Sequence, residues 1–189
     1  MWKKLKRKLK SQKGFSLTEV LAAVLILSMV SSVVAGGIPV ARDAYEKVTL
    51  SANAQVMLST AITALRNELS TASEIKSDGA KKIEYYSAAI KNQCAIGITD
   101  QTGRENGGIW QTLYSSSDSG TQIWKKLVSD AVGAEKPDEN RLFVTYNTIS
   151  APVNGIVTVT GLRVLDSKQG NKILAHMDSN LKIRVIMGK

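Results

Sequence analysis

A single cysteine, Cys94, and a single histidine, His176, leave this chain almost without the side chains that soft-metal and nucleophilic chemistry use. One thiol cannot close an intramolecular disulfide, and the two residues lie too far apart in sequence to make a zinc site by themselves. Cys94 therefore reads as a small core residue, and His176, within Ile173-Leu174-Ala175-His176-Met177, as a strand or strand-end position rather than a general base. A phosphate-cradling glycine loop and a Gly-x-Ser-x-Gly elbow are both missing. Asp166-Ser167-Lys168-Gln169-Gly170 is a poor calcium loop, because a lysine sits where an oxygen ligand is needed. Asp138-Glu139 falls in a Pro-containing loop and reads as solvated surface. No enzyme, no metal and no cofactor is expected.

Acidic residues are also missing from the first fourteen positions, which hold Lys3, Lys4, Lys6, Arg7, Lys8, Lys10 and Lys13. The chain's formal charge of +9 is therefore mostly a property of this leader, since the residues after Gly14 carry only +2. A nucleic-acid reading based on net charge loses its support. Lys81-Lys82 and Lys125-Lys126, with Trp110 and Trp124, are the residues from which a basic aromatic patch would be built; scattered surface lysines and buried tryptophans are the favoured reading.

What is present in abundance is an apolar run. From Phe15 to Ala35 it rises about 30 Å as an α-helix, the thickness of a bilayer's hydrocarbon core. The basic leader beside it sets the orientation by the positive-inside bias, with the N-terminus in the cytoplasm and the rest outside. A simple anchor does not account for Glu19, since an acid at the centre of a span costs about 2.5–3.5 kcal/mol and calls for a named partner. The nearest candidate is the α-amine created by a cut between Gly14 and Phe15.

Basic leader, Gly14-Phe15, Glu19 and a spanning helix, in that order, resemble the class III signal of type IV pilins and type II secretion pseudopilins. The resemblance implies cleavage between Gly14 and Phe15 by a prepilin peptidase and methyltransferase, and N-methylation of Phe15. It further implies pairing of Glu19 with the terminal amine of a neighbouring subunit, and partners comprising other pilin or pseudopilin subunits and an assembly platform protein. A conventional secretory signal is disfavoured because its apolar stretch is shorter, about 7–15 residues, although Val34-Ala35-Gly36 offers small residues for such a cut.

Beyond the span, Gly36-Gly37-Ile38-Pro39 is where helix is weakest, since each glycine costs about 1 kcal/mol and an interior proline about 3. A kink or linker and a segment that gives up helical bonds on assembly are both open readings. From Val40 to about Ile75 a helical period returns: Leu58, Ile62, Leu65, Leu69 and Ala72, extended by Tyr45, Val48, Ala54 and Ala61, define an apolar face, with Arg42, Asp43, Glu46, Lys47, Arg66, Asn67 and Glu68 mostly elsewhere. The helix is expected to stop near Ser77-Asp78-Gly79.

Short β-branched or aromatic runs come next: Ile83–Ser87, Cys94–Thr99, Ile109–Tyr114, Arg141–Tyr146, Gly155–Val164 and Leu181–Ile186. Lys168-Gln169-Gly170-Asn171 predicts a hairpin joining Leu162–Leu165 to Ile173–Leu174. Thr121 to Val132 fits a short helix slightly better than a strand and turn.

The expected fold is thus α+β, a long N-terminal helix packed on an antiparallel β-sheet head. Its segments are a removable leader (1–14), a transmembrane or filament-core helix (15–41), an amphipathic helix (42–76) and a β-rich head (77–189). Leu65-Arg66-Asn67-Glu68-Leu69, Tyr86-Ser87, Leu127-Val128 and Phe143 loosely resemble J-class minor pseudopilins and minor pilins. The expected function is a filament subunit, single-pass in the cytoplasmic membrane before assembly and part of a cell-surface filament after it. The alternatives are a single-pass anchored binding module that does not polymerise, and an adhesive or DNA-binding tip subunit.

Overall fold

The structure, a computed structural model, describes residues 16–99, 108–114, 122–128 and 142–186. Leader residues 1–14 and the junction at Gly14-Phe15 lie outside these. The fold is α+β: among the described residues, one α-helix, α1 (Leu17–Ser70), is followed by eleven strands in three antiparallel sheets. The chain divides into two compact units, 1–47 and 48–189.

The described part of the first unit is helix, and every residue from Leu17 to Lys47 is exposed. Gly36, Gly37 and Pro39 do not interrupt it: α1 carries Pro39 in its interior. The hydroxyls of Ser28, Ser31 and Ser32 turn back onto the carbonyls of Val24, Leu27 and Ser28, one helical turn earlier. Each thus satisfies its donor inside its own helix, which lowers the cost of carrying serines in an otherwise apolar run.

In the second unit α1 becomes one-sided. Ala54, Met57, Ala61, Leu65 and Leu69 are buried, with Leu50, Leu58 and Ile62 partly so. This is the expected stripe, with one correction: Tyr45 and Val48 are exposed, 75% and 68%, and do not extend it. Met57, not anticipated, takes a core position instead. Full burial of a leucine contributes about 1.5–3 kcal/mol, so Leu65 and Leu69 anchor this end.

The helix ends at Ser70, earlier than the period suggests, because Ser73–Ser77 is a strand. Ser70 and Thr71 hydroxyls bond back to the Asn67 carbonyl, and the Ser70 carbonyl accepts the amide of Ile186. Competing side-chain bonds and a partner from the far end of the chain therefore stop the helix, even though Ala72 and Ile75 continue its spacing.

The largest sheet runs in the order β1 (Ser73–Ser77), β2 (Lys82–Ser87), β3 (Asn92–Gly97), β4 (Trp110–Tyr114), β5 (Gln122–Lys126). Its inner face carries Ile83, Tyr85, Cys94 and Ile96 into the same core as the helix stripe. The preference for helix between Thr121 and Val132 fails over Gln122–Lys126, which pairs along β4 from Trp110↔Lys126 to Tyr114↔Gln122. Cross-strand pairing overrides a weak helical spacing, and Ile123, placed on the presumed apolar face, is 60% exposed.

A second sheet has the order β10 (Lys172–His176), β9 (Arg163–Asp166), β6 (Leu142–Thr145), and a third β11 (Leu181–Arg184), β8 (Ile156–Thr160), β7 (Thr148–Ile149). The anticipated hairpin is β9–β10, turned through a 3-10 turn at Ser167–Gln169. The Gly155–Val164 run, which reads as one strand, divides at Gly161, where φ is +64°. Val144, Val157, Val159, Val164, Leu181 and Ile183 close the core between these sheets.

Candidate functional site

Glu19 lies in the first turn of α1, where its own amide and that of Val20 bond to the Ser16 carbonyl. It is exposed, and among the described residues it has no ion-pair partner. The apolar side chains after it are exposed as well: Leu21 62%, Leu25 59% and Val33 75%. By length and composition α1 is able to cross a membrane. The site is thus an unpartnered acid at the head of an unpartnered apolar rod. Of the other anticipated residues, Gly36, Gly37 and Pro39 sit on the same rod, whereas Lys3, Lys4, Lys6, Arg7, Lys8, Lys10, Lys13, Gly14 and Phe15 lie outside the described residues.

A second polar centre, which sequence reasoning missed, fixes the helix to the head. Glu68 Oε1 accepts from Ser87 Oγ at 2.7 Å, Gln111 Nε2 at 2.9 Å and Tyr85 Oη at 3.0 Å. Gln111 also donates to Tyr85 Oη at 2.8 Å, closing the set across β2 and β4. Tyr85, Ser87 and Gln111 are buried, so each needs a partner, and one carboxylate serves all three. Burial, then the neighbouring Glu68 charge, pushes the Tyr85 hydroxyl far above its ordinary range and the Cys94 thiol up to about 11. Cys94 is therefore an inert core thiol. The spacing held a signal: Glu68 is three residues after Leu65 and four before Ala72, so it shares the buried face.

His176 closes β10 at the surface, 3.0 Å from Asp178. No cluster of three or more His, Cys, Asp or Glu that could hold a metal ion exists among the described residues.

Residues 9–35 match the family profile described as the prokaryotic N-terminal methylation motif, the class III signal of type IV pilins. The chain thus carries a prepilin-type signal, and its exposed apolar helix and β-rich head make it type IV pilin- or pseudopilin-like. The match ends at Ala35 and includes no residue of the head, so the J-class likeness gains nothing from it. Comparison with curated proteins and with solved structures gives no match.

Proposed function

We propose that this chain is a minor pilin or pseudopilin, inserted as a precursor with its N-terminus in the cytoplasm, cut between Gly14 and Phe15, methylated on Phe15, and packed through α1 into a filament. The observation that carries this reading is the coincidence of the methylation motif with an exposed Glu19 heading an exposed apolar helix. In the membrane, lipid solvates the rod; in the filament, neighbouring rods do. Transfer between the two keeps the apolar surface dry throughout, and Glu19 gains the amine of an adjacent subunit as partner. The chemistry asked of the chain itself is association. A prepilin peptidase performs the cut and methylation, an assembly platform protein lifts the subunit, and no enzymatic role or cofactor is assigned.

Intact mass of the chain from assembled material tests the proposal. A species beginning at Phe15 and carrying one methyl group is expected. A chain still beginning at Met1 identifies a single-pass anchor that does not polymerise, and one beginning near Gly37 identifies a conventional signal peptide; either result overturns the reading.

A further inference from the structure

The five-stranded sheet has two faces, and only the inner one is spent on α1. Paired residues share a face, so Glu84, Ala95, Thr112 and Trp124 form one row across the outer side, with Gly97, Trp110 and Lys126 in the next. Small residues floor this face: Ala95 is 1% and Thr112 4% exposed. Trp110, Trp124, Tyr86 and Tyr114 stand over and around them half-buried, neither core nor free. The expectation of buried tryptophans is therefore corrected.

At one end of the face a cleft of about 370 Å³ opens, lined by Glu74, Lys76, Glu84, Gln93 and Tyr114. That lies within the range of about 300–1,000 Å³ usual for small-molecule sites. Its polar groups brace one another: Tyr114 Oη donates to Glu84 Oε1 at 2.9 Å, and Gln93 Nε2 to Glu74 Oε2 at 3.2 Å. Each carboxylate uses one oxygen in these bonds and keeps the other able to accept from a ligand's donors.

The charge of this face decides between ligands. Lys76, Lys82 and Lys126 are matched by Glu74, Asp78 and Glu84, and Lys82 binds both Asp78 at 2.7 Å and Glu84 at 3.4 Å. Lys126 Nζ sits over the Trp110 ring, 5.3 Å from its centre. Lys125, on the opposite face with Gln111, is no part of the row. A polyanion would thus meet as many carboxylates as lysines, with Lys82 and Lys126 already engaged, whereas a neutral molecule with one apolar face and many hydroxyls meets what it needs. The aromatic face, electron-rich above its ring, suits the C–H face of a sugar, and carboxylate and amide suit its hydroxyls.

We infer that the outer face of this sheet is a neutral-saccharide site, with a sugar ring held in the cleft by Glu84, Gln93 and Tyr114 and a later ring of an oligosaccharide, running along the row across β3 and β4, meeting Trp124. Trp110 is a support and not a platform, because Lys126 covers it. The site belongs to the head and stands whether or not the chain polymerises.

Saturation-transfer NMR on the full chain in phosphocholine micelles, which carry no sugar of their own, tests this. The probes are neutral trisaccharides of glucose, of galactose and of N-acetylglucosamine, with single-stranded oligothymidylate as the competing class. Transfer to at least one trisaccharide is expected, weakened about tenfold or more by Trp124→Ala and by the nearly isosteric Glu84→Gln, with thermal melts confirming that both fold. Lys125→Ala, on the far face, is expected to leave binding unchanged. Absence of transfer to all three trisaccharides overturns the inference, as does transfer indifferent to both variants. Transfer to oligothymidylate alone, falling with salt, also overturns it and identifies a nucleic-acid face.

Discussion

Ser87 Oγ lies 2.7 Å from Glu68 Oε1, the shortest of three hydrogen bonds by which one carboxylate on the last turns of α1 holds two strands of the sheet. The relationship joins residues nineteen positions apart and, within the second unit, fixes the C-terminal turns of α1 to the sheet.

Removing the acceptor strands buried donors. In Glu68→Ala the Ser87 hydroxyl loses its strongest partner, while Gln111 and Tyr85 retain only each other. An unsatisfied buried group costs about 1–3 kcal/mol, so Glu68→Ala is expected to lower unfolding stability by about 3 kcal/mol and Ser87→Ala by about 1. The double variant is expected to fall short of the sum by about 1 kcal/mol. Urea denaturation of the chain in micelles measures all three; a Glu68→Ala loss below about 0.5 kcal/mol would remove this attachment from the account.

Much of the fold is legible in the sequence, and the failures share a cause. The α+β order, the β9–β10 turn and the stripe from Ala54 to Leu69 come from local pattern, since spacing alone places Leu65 and Leu69 together. Tyr45 and Val48 obey nearly the same spacing yet are exposed, because period says which residues align and not whether anything lies opposite. Glu68 escapes because its charge assigns it to water until Tyr85, Ser87 and Gln111 are brought from other strands. β5 becomes a strand only because β4 lies beside it. At the candidate assembly site the reverse holds: Glu19 and the apolar run are read from sequence, and the structure adds that both are exposed.

Alkaline pH is expected to loosen the head in a defined window. Cys94 ordinarily ionises near 9.0 and in the folded head is raised to about 11, by burial first and then by the Glu68 charge. A raised folded-state value means the unfolded chain releases its proton first, so the stabilisation is complete below pH 9.0 and is lost as pH rises towards about 11. Tyr85 and Tyr146, raised from 10.0 by burial, add to the loss from about pH 10 upward. Thermal melts across pH 8–12 should show stability falling from about pH 9, and Cys94→Ala should move the onset to about 10. An onset unchanged in Cys94→Ala would mean that this thiol ionises freely.

Gly161 separates β8 from β9 for two independent reasons. Its φ is +64°, and a Cβ there would collide with the side-chain amide of Asn147, which also receives Arg163 at 2.6 Å. Gly161→Ala is expected to cost about 2–3 kcal/mol, combining left-handed backbone strain with the clash. Adding Asn147→Gly should recover the steric part alone, about half, as read by denaturation midpoints. Full recovery would show that the backbone conformation carries no cost.

The last expectation concerns Glu19. If its partner in the filament is the α-amine of a neighbouring Phe15, the pair is made where lipid or packed helices exclude water, and removing one member of a buried pair costs about 3–5 kcal/mol when the other remains charged. Removing the acid lowers the cost of insertion, so Glu19→Ala is expected to reach the membrane and be processed normally yet enter filaments poorly. Blocking the amine while Glu19 remains is expected to be worse, because a carboxylate is then left unmatched inside the bundle. Cell fractionation separates the two steps: membrane and processed pools should equal wild type while the sheared-filament pool drops about tenfold or more. Normal incorporation of Glu19→Ala would dissociate the carboxylate from assembly, leaving the apolar surface of α1 as the whole of the association energy.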